Sequence, residues 1–217
     1  MKPFNVVFFD LDETLYPKGN GIWRGISVRI NSYLREQLGL PPETAEQIRS
    51  EYLETFGTTL NGLMKNFQID PIKYLDYVHD IPIEDYLHPD PSLRSCLASI
   101  AARRVIFTNA DRKHALRVLT RLGVDDMFEQ IVDILALNWI NKPREPAYQQ
   151  ALELCGNPDP SKCVLVDDRI QNIMPAAALG MTTVLVSDEG DNPDACHTIP
   201  SVKQLLEVLP VLLDRSE

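Results

Sequence analysis

The chain lacks any Cys-x-x-Cys spacing: its four cysteines, Cys96, Cys155, Cys163 and Cys196, sit inside otherwise ordinary helix and strand patterns. Reduced, partly buried thiols are the expected state, and a cytoplasmic compartment goes with them. Long apolar runs are missing too. None approaches membrane-spanning length, and the first is interrupted by Asp10, too early for a secretory signal. Positive charge is the minority, 21 Lys and Arg against 31 Asp and Glu, for a net charge of −10. That balance argues against a nucleic-acid backbone as partner and leaves room for a small anionic ligand, whose charge a metal ion and a few lysines can meet locally. Internal repeats and low-complexity tracts are absent. What is present is apolar residue enough for a sizeable core, 44% of 217 positions, which suits one large domain or a domain with an insertion.

The carboxyl half alternates short apolar runs with helical periodicity. Val105-Ile106-Phe107, Val164-Leu165-Val166 and Thr182 to Val186 read as buried strands. Ala115 to Leu122, Pro146 to Leu154 and Ile170 to Leu179 read as helices, each followed by a glycine at its end. Such alternation predicts an α/β fold, a doubly wound parallel sheet covered on both faces, with ligands beyond the carboxyl ends of its strands. Residues 17–88 break the rhythm. Ile22, Ile26, Ile30, Leu34 and Leu38 recur every fourth position up to Gly39, Ile48, Tyr52 and Phe56 repeat the pattern up to Gly57, and Asp70-Pro71 has the form of a helix start. The expected division is therefore a core of 1–16 and 89–217 with an α-helical insertion over 17–88. Asp90-Pro91 restarts the core with a helix through Ala101, and a closing helix is expected from Val202 to Leu213.

Chemistry-bearing residues collect where the strands end. Val6-Val7-Phe8-Phe9 is a short buried strand that runs straight into Asp10-Leu11-Asp12, two carboxylates whose repulsion asks for a shared cation. Thr108 and Asn109 follow the second apolar run, Lys142-Pro143 opens the segment before a helix, and Asp167-Asp168 follow Val164-Leu165-Val166. Any one of these is an ordinary cap or loop. Together and in this order they carry chemistry.

In that order the chain resembles the haloacid dehalogenase-like hydrolase superfamily, whose Asp-x-Asp-x-Thr, Thr or Ser, Lys and paired acids are matched at Asp10, Asp12, Thr14, Thr108, Lys142, Asp167 and Asp168. The likeness covers the whole chain and implies a Rossmann-like hydrolase core, with 17–88 as the inserted helical cap. A looser likeness, to the pyrimidine 5′-nucleotidase-like branch, lies in Phe9 to Pro17, Gly57 to Leu63 and Phe107 to Ala115. The resemblance implies a magnesium-dependent phosphomonoesterase acting through an aspartyl-phosphate, on a small phosphorylated metabolite such as a nucleoside 5′-monophosphate. Asp10 is then the nucleophile, and Asp12 protonates the leaving oxygen and later activates water. The Asp10 carboxylate, the Asp12 backbone carbonyl and the Asp168 carboxylate are the implied Mg2+ ligands. Asp167 stands behind them, on a metal-bound water or on Lys142. Thr108, the Asn109 backbone amide and Lys142 would bind the phosphoryl oxygens. Asn172 stands where many relatives place another acid.

The alternatives are a sugar-phosphate phosphatase or phosphomutase using the same residues, a haloacid dehalogenase, and a phospho-ligand binding or regulatory module. A dehalogenase has no use for Asp12, and a binding module has none for a nucleophile. His79, His88 and His114 read as structural or exposed, with a substrate contact open to His114. Trp23 and Trp139 read as packing residues. Lys18, Asn20, Trp23, Arg112 and His114 border the expected substrate entrance.

Overall fold

Val6-Val7-Phe8-Phe9 has no polar side chain to offer water, so it is stable only with both faces covered, and all four residues are at most 1% exposed. A computed structural model describes residues 4–213. In chain order, β1 (Val6–Phe9) is followed by four helices, α1 (Ile22–Glu36), α2 (Pro42–Phe56), α3 (Thr59–Asn66) and α4 (Pro71–Val78). Then come α5 (Pro91–Ala98), β2 (Arg103–Phe107), α6 (Arg112–Leu122), β3 (Gln130–Val132) and α7 (Glu145–Leu154). β4 (Cys163–Asp167), α8 (Ile170–Ala178), β5 (Thr182–Val186), β6 (His197–Ile199) and a short α9 (Leu205–Val208) complete it. Among the described residues no helix is long and apolar enough to cross a membrane.

The six strands form one parallel sheet in the order β3-β2-β1-β4-β5-β6. β1 lies at its middle, with Phe9 opposite both Ile106 and Val166, and the Asp10 N–H continues the ladder to the Val166 carbonyl at 2.9 Å. The chain order reverses across β1, so the loops after β1, β2 and β4 leave from one edge of the sheet and diverge there. Alternate side chains serve two cores. Val6 and Phe8 pack with α7 and α8 through Tyr148, Ala151, Ile173 and Ala176. Val7 and Phe9 belong to a larger cluster with α5 and α6, which runs without a break into Ile22, Ile26, Leu34, Leu63 and Leu75 of the four inserted helices. Burying a side chain such as Phe9 or Leu34 contributes roughly 1.5–3 kcal/mol.

Helix ends follow local chemistry. Asp70 accepts from the Ile72 and Lys73 amides, Asp90 from those of Ser92 and Leu93, and each is followed by proline at the first helical position. Several expected boundaries differ. α5 stops at Ala98, because Ile100 leaves helical conformation to bridge Leu213. The expected closing helix is three short pieces, 3₁₀ turns at Val202–Gln204 and Pro210–Leu212 around α9, since Pro210 has no N–H to continue it. Two three-residue strands, β3 and β6, have no counterpart in the expected element list. Lys142 does not stand at a strand tip: the chain leaves β3 at Val132 and turns through residues 133–141 before reaching it.

Candidate active site

Leaving β1, the chain turns at once: the Leu15 N–H bonds the Leu11 carbonyl at 3.0 Å, while Leu11 itself is fully buried. That anchor fixes Asp10 in the sheet's central position and sends Asp12 off on the turn. Lys142 reaches in from the far loop and is 1% exposed, with Nζ donating to Asp10 Oδ1 at 2.8 Å and to Asp167 Oδ2 at 2.7 Å. Burial works against its ammonium, yet the two carboxylates outweigh burial and hold its pKa above the usual lysine range. Thr14 donates its hydroxyl to Asp10 Oδ2 at 3.1 Å and lies 3.4 Å from Asp168 Oδ1.

The remaining acids are arranged by neighbours. Asn172 donates Nδ2 to both oxygens of Asp167, at 2.9 and 3.0 Å, and the Arg169 amide adds a third bond. An acid at 172 would meet Asp167 with like charge; the amide holds it instead. Asp10, Asp167 and Asp168 each offer a carboxylate oxygen within 4.8 Å of the others. Burial, with Asp167 and Asp168 adding to it and Lys142 opposing, pushes Asp10 up to about 8. Burial and Asp167 likewise push Asp168 up to about 7. Three converging hard oxygens, with two carboxyls that ionise reluctantly, fit a hard divalent cation. With Nδ2 turned to Asp167, Asn172 Oδ1 is buried without a partner among the described residues.

Thr108 is 2% exposed, and its hydroxyl oxygen accepts from the Ala110 amide at 3.1 Å. Asn109 does more than its expected backbone role. Its side chain brackets the Lys142 backbone, donating to the Lys142 carbonyl at 3.0 Å and accepting from its amide at 2.8 Å. The turn between α2 and α3 rests on the same loop. Asn141 donates to the Phe56 carbonyl, and Asn61 bonds Asn141 Oδ1 and the Trp139 carbonyl. Gly57, at φ 78°, is required there, because a Cβ would fall 2.4 Å from Asn141 Nδ2. Beside this contact lies a cavity of about 770 Å³ lined by Lys65, Trp139, Pro143, Arg144 and Arg169.

Asp12 is held by two side chains, Tyr16 and His114. Tyr16 donates its hydroxyl to Asp12 Oδ1 at 2.7 Å, and His114 Nε2 lies 2.8 Å from that same oxygen. Burial lifts the Asp12 carboxyl, but His114 and Tyr16 more than offset it and bring it below the ordinary range. The His114 ring is wholly buried, so the structural reading of it holds, and its contact is with Asp12. His79 stacks on it with centroids 4.2 Å apart and places Nδ1 2.7 Å from Asp111 Oδ1. Asp111, occupied in this way, leaves the N-terminus of α6 to Asp133, which accepts from the Arg112 amide at 2.8 Å. One signal was available in the sequence: Asp12 and Tyr16 stand four apart in a turn. The pairing of His114 with Asp12 spans 102 positions and has no local signature. Of the other entrance residues, Lys18 lines a second cavity beside Asp168, Asn20 accepts from the Ile22 amide, and Trp23 is 38% exposed.

The profile of haloacid dehalogenase-like hydrolases matches residues 4–180. A curated relative, phosphate metabolism protein 8 of Saccharomyces cerevisiae, is 29% identical over 194 residues, 83% of this chain, which spans only 60% of that protein's length. Glyceraldehyde 3-phosphate phosphatase of Methanothermobacter thermautotrophicus is 24% identical, with 94% of this chain and 98% of that one aligned. In the crystal structure of a phosphatase of the same superfamily from Thermococcus onnurineus the fold recurs with a TM-score of 0.67 at 20% identity, over 97% of this chain and 100% of that one.

Proposed function

Because the chain belongs to the haloacid dehalogenase-like hydrolase family, we propose that it is a magnesium-dependent phosphomonoesterase working through an aspartyl-phosphate on Asp10. The observation that carries this reading is the pair of unlike carboxylates: Asp10 bonded to Lys142, and Asp12 held by Tyr16 and His114 two residues on. Phosphoryl transfer needs both a nucleophile and a separate proton carrier for the alcohol. Dehalogenation at carbon needs only the first. Lys142 draws charge from Asp10 and from the phosphoryl group, and Thr108 with the Asn109 amide takes the remaining phosphoryl oxygens. Asp10, Asp168 and the Asp12 carbonyl would hold Mg2+, which would supply the positive charge that lets two anions approach. Asp12 gives its proton to the departing alcohol and then, ionised, takes one from water. Its lowered pKa leaves it ionised in the resting enzyme, the state the second step uses, so the proton it passes to the alcohol arrives with the substrate, bound as the monoanionic ester.

Residues 17–88 act in this reading as the cap that reads the leaving alcohol, with the Lys65, Arg144 and Trp139 cavity as the place where it is read. Nucleoside 5′-monophosphates are the proposed substrates, on the likeness of Phe9 to Pro17 and Phe107 to Ala115 to the pyrimidine 5′-nucleotidase-like branch. A sugar-phosphate reading has its own support in the archaeal relative, whose name specifies glyceraldehyde 3-phosphate and which aligns over nearly its whole length. Phosphate release from a panel of pyrimidine and purine nucleotides, sugar phosphates and flavin mononucleotide, with and without Mg2+, decides between them. Highest kcat/KM on a pyrimidine nucleotide is expected. A higher value on triose phosphates selects the second reading, and full activity in excess chelator overturns the metal.

A further inference from the structure

Asp12 is fastened at one oxygen only. Tyr16 Oη and His114 Nε2 both meet Oδ1, at 2.7 and 2.8 Å, whereas Oδ2 has no protein donor among the described residues. A carboxylate pinned in this way cannot rotate about its Cβ–Cγ bond without breaking two bonds, and its second oxygen is left for another partner. The histidine is fixed in turn. Its side chain is 0% exposed, and Nδ1 is buried without a partner among the described residues. The tautomer that fits carries its proton on Nε2, since an N–H at Nδ1 would be buried without an acceptor. His79 covers one ring face at an interplanar angle of 21° and is tied to Asp111 at 2.7 Å. Around His79, the Arg117 guanidinium donates to the His79 and Ile81 carbonyls, both at 2.7 Å, so the segment after α4 is bound to α6 beside His114.

We infer that His114 is the positioning residue for Asp12, donating from Nε2 to Oδ1 so that Oδ2 faces the ester oxygen, with His79 holding the imidazole in place. The inference rests on the phosphatase reading and adds to it a residue that touches neither phosphate nor metal. It also joins the end of the inserted helices to the acid–base group, because His79 immediately follows α4. A displaced α4 terminus would move His79 off the ring that aims Asp12.

The test compares two esters. A nitrophenyl leaving group departs unaided, whereas an alkyl oxygen needs its proton, so loss of aim at Asp12 slows the phosphoryl-transfer step of the alkyl ester alone, the step kcat/KM reports, while the later attack of water is common to both esters. His114→Phe keeps the ring's bulk and removes the donor. It should lower kcat/KM on the alkyl monoester, a nucleoside 5′-monophosphate or glyceraldehyde 3-phosphate, by about 10- to 100-fold more than kcat/KM on nitrophenyl phosphate, as a partial loss of acid–base catalysis would. KM should hold. His114→Gln restores an N–H at similar reach and should recover most of the difference. Equal losses on both esters, or His114→Gln behaving as His114→Phe does, would overturn the assignment. If His114→Phe does not fold, His79→Leu carries the test: a smaller shift of the alkyl-to-aryl ratio in the same direction supports it, and an unchanged ratio overturns it. A wild-type enzyme inert toward both esters would remove the phosphatase reading and this role with it, an outcome distinct from uniform losses in an active enzyme.

Discussion

At the residue scale, Asp10 is where the chemistry concentrates. Asp10→Asn removes the attacking charge and leaves Lys142 its partner Asp167, so the fold should survive while kcat falls at least roughly a thousandfold. Phosphate release together with a thermal melt checks both halves, and activity within tenfold of wild type would end the covalent mechanism. Proton linkage gives a second expectation. Burial and neighbouring acids push Asp10 to about 8 and Asp168 to about 7 in the absence of a cation. A raised carboxyl pKa means that protons compete with metal below it, so Mg2+ should bind more tightly as pH rises from about 6 to about 8, with protons released on binding. Calorimetry in buffers of different ionisation enthalpy measures that release, and pH-independent affinity would contradict it. The clustering of these strand-end acids was legible because they directly follow apolar runs. His114, His79 and Asn172 were not, because their partners are set by how α6 and α8 dock, which no local pattern records.

At the scale of elements, caps and strand pairing divide what was readable from what was not. Asp90 was readable: an Asp-Pro step before an apolar stripe states its own helix start. The structure adds Lys203 Nζ at 2.6 Å from Asp90 Oδ2. Burial raises the Asp90 carboxyl, and the bonds from Lys203 and from the Leu93 and Ser92 amides outweigh it, leaving the pKa depressed. A depressed carboxyl pKa contributes stability that is present above the unfolded value, near 3.8, and lost as pH falls through the folded one. Asp90→Ala should therefore cost about 1 kcal/mol in urea melts at neutral pH. The gap to wild type should close in strong acid, and a gap that persists there would contradict the linkage. β3 and β6, three residues each, are strands only because a neighbour supplies their ladder, and sequence periodicity needs a longer run to show.

For the whole molecule, the doubly wound core was legible from the alternation of apolar runs and helical stripes, since parallel strands require covered crossovers. The helices of 17–88 were legible as helices, but not how they are seated. Their apolar stripes read as buried, with no indication of what they pack against. In the structure they share one unbroken cluster with Val7, Phe9 and Ile106 of the sheet, while Gly57 and Asn61 touch the Lys142 loop. That shared cluster governs how the protein comes apart. With no dry boundary between insertion and sheet, neither part can expose its side of the cluster while the other stays intact, so the two should melt as one cooperative unit. Scanning calorimetry should give a single endotherm with equal calorimetric and van't Hoff enthalpies, and a resolved early transition would contradict this. By the same reasoning, a peptide of residues 17–88 expressed alone would leave much of its apolar surface in water and should not hold its tertiary packing.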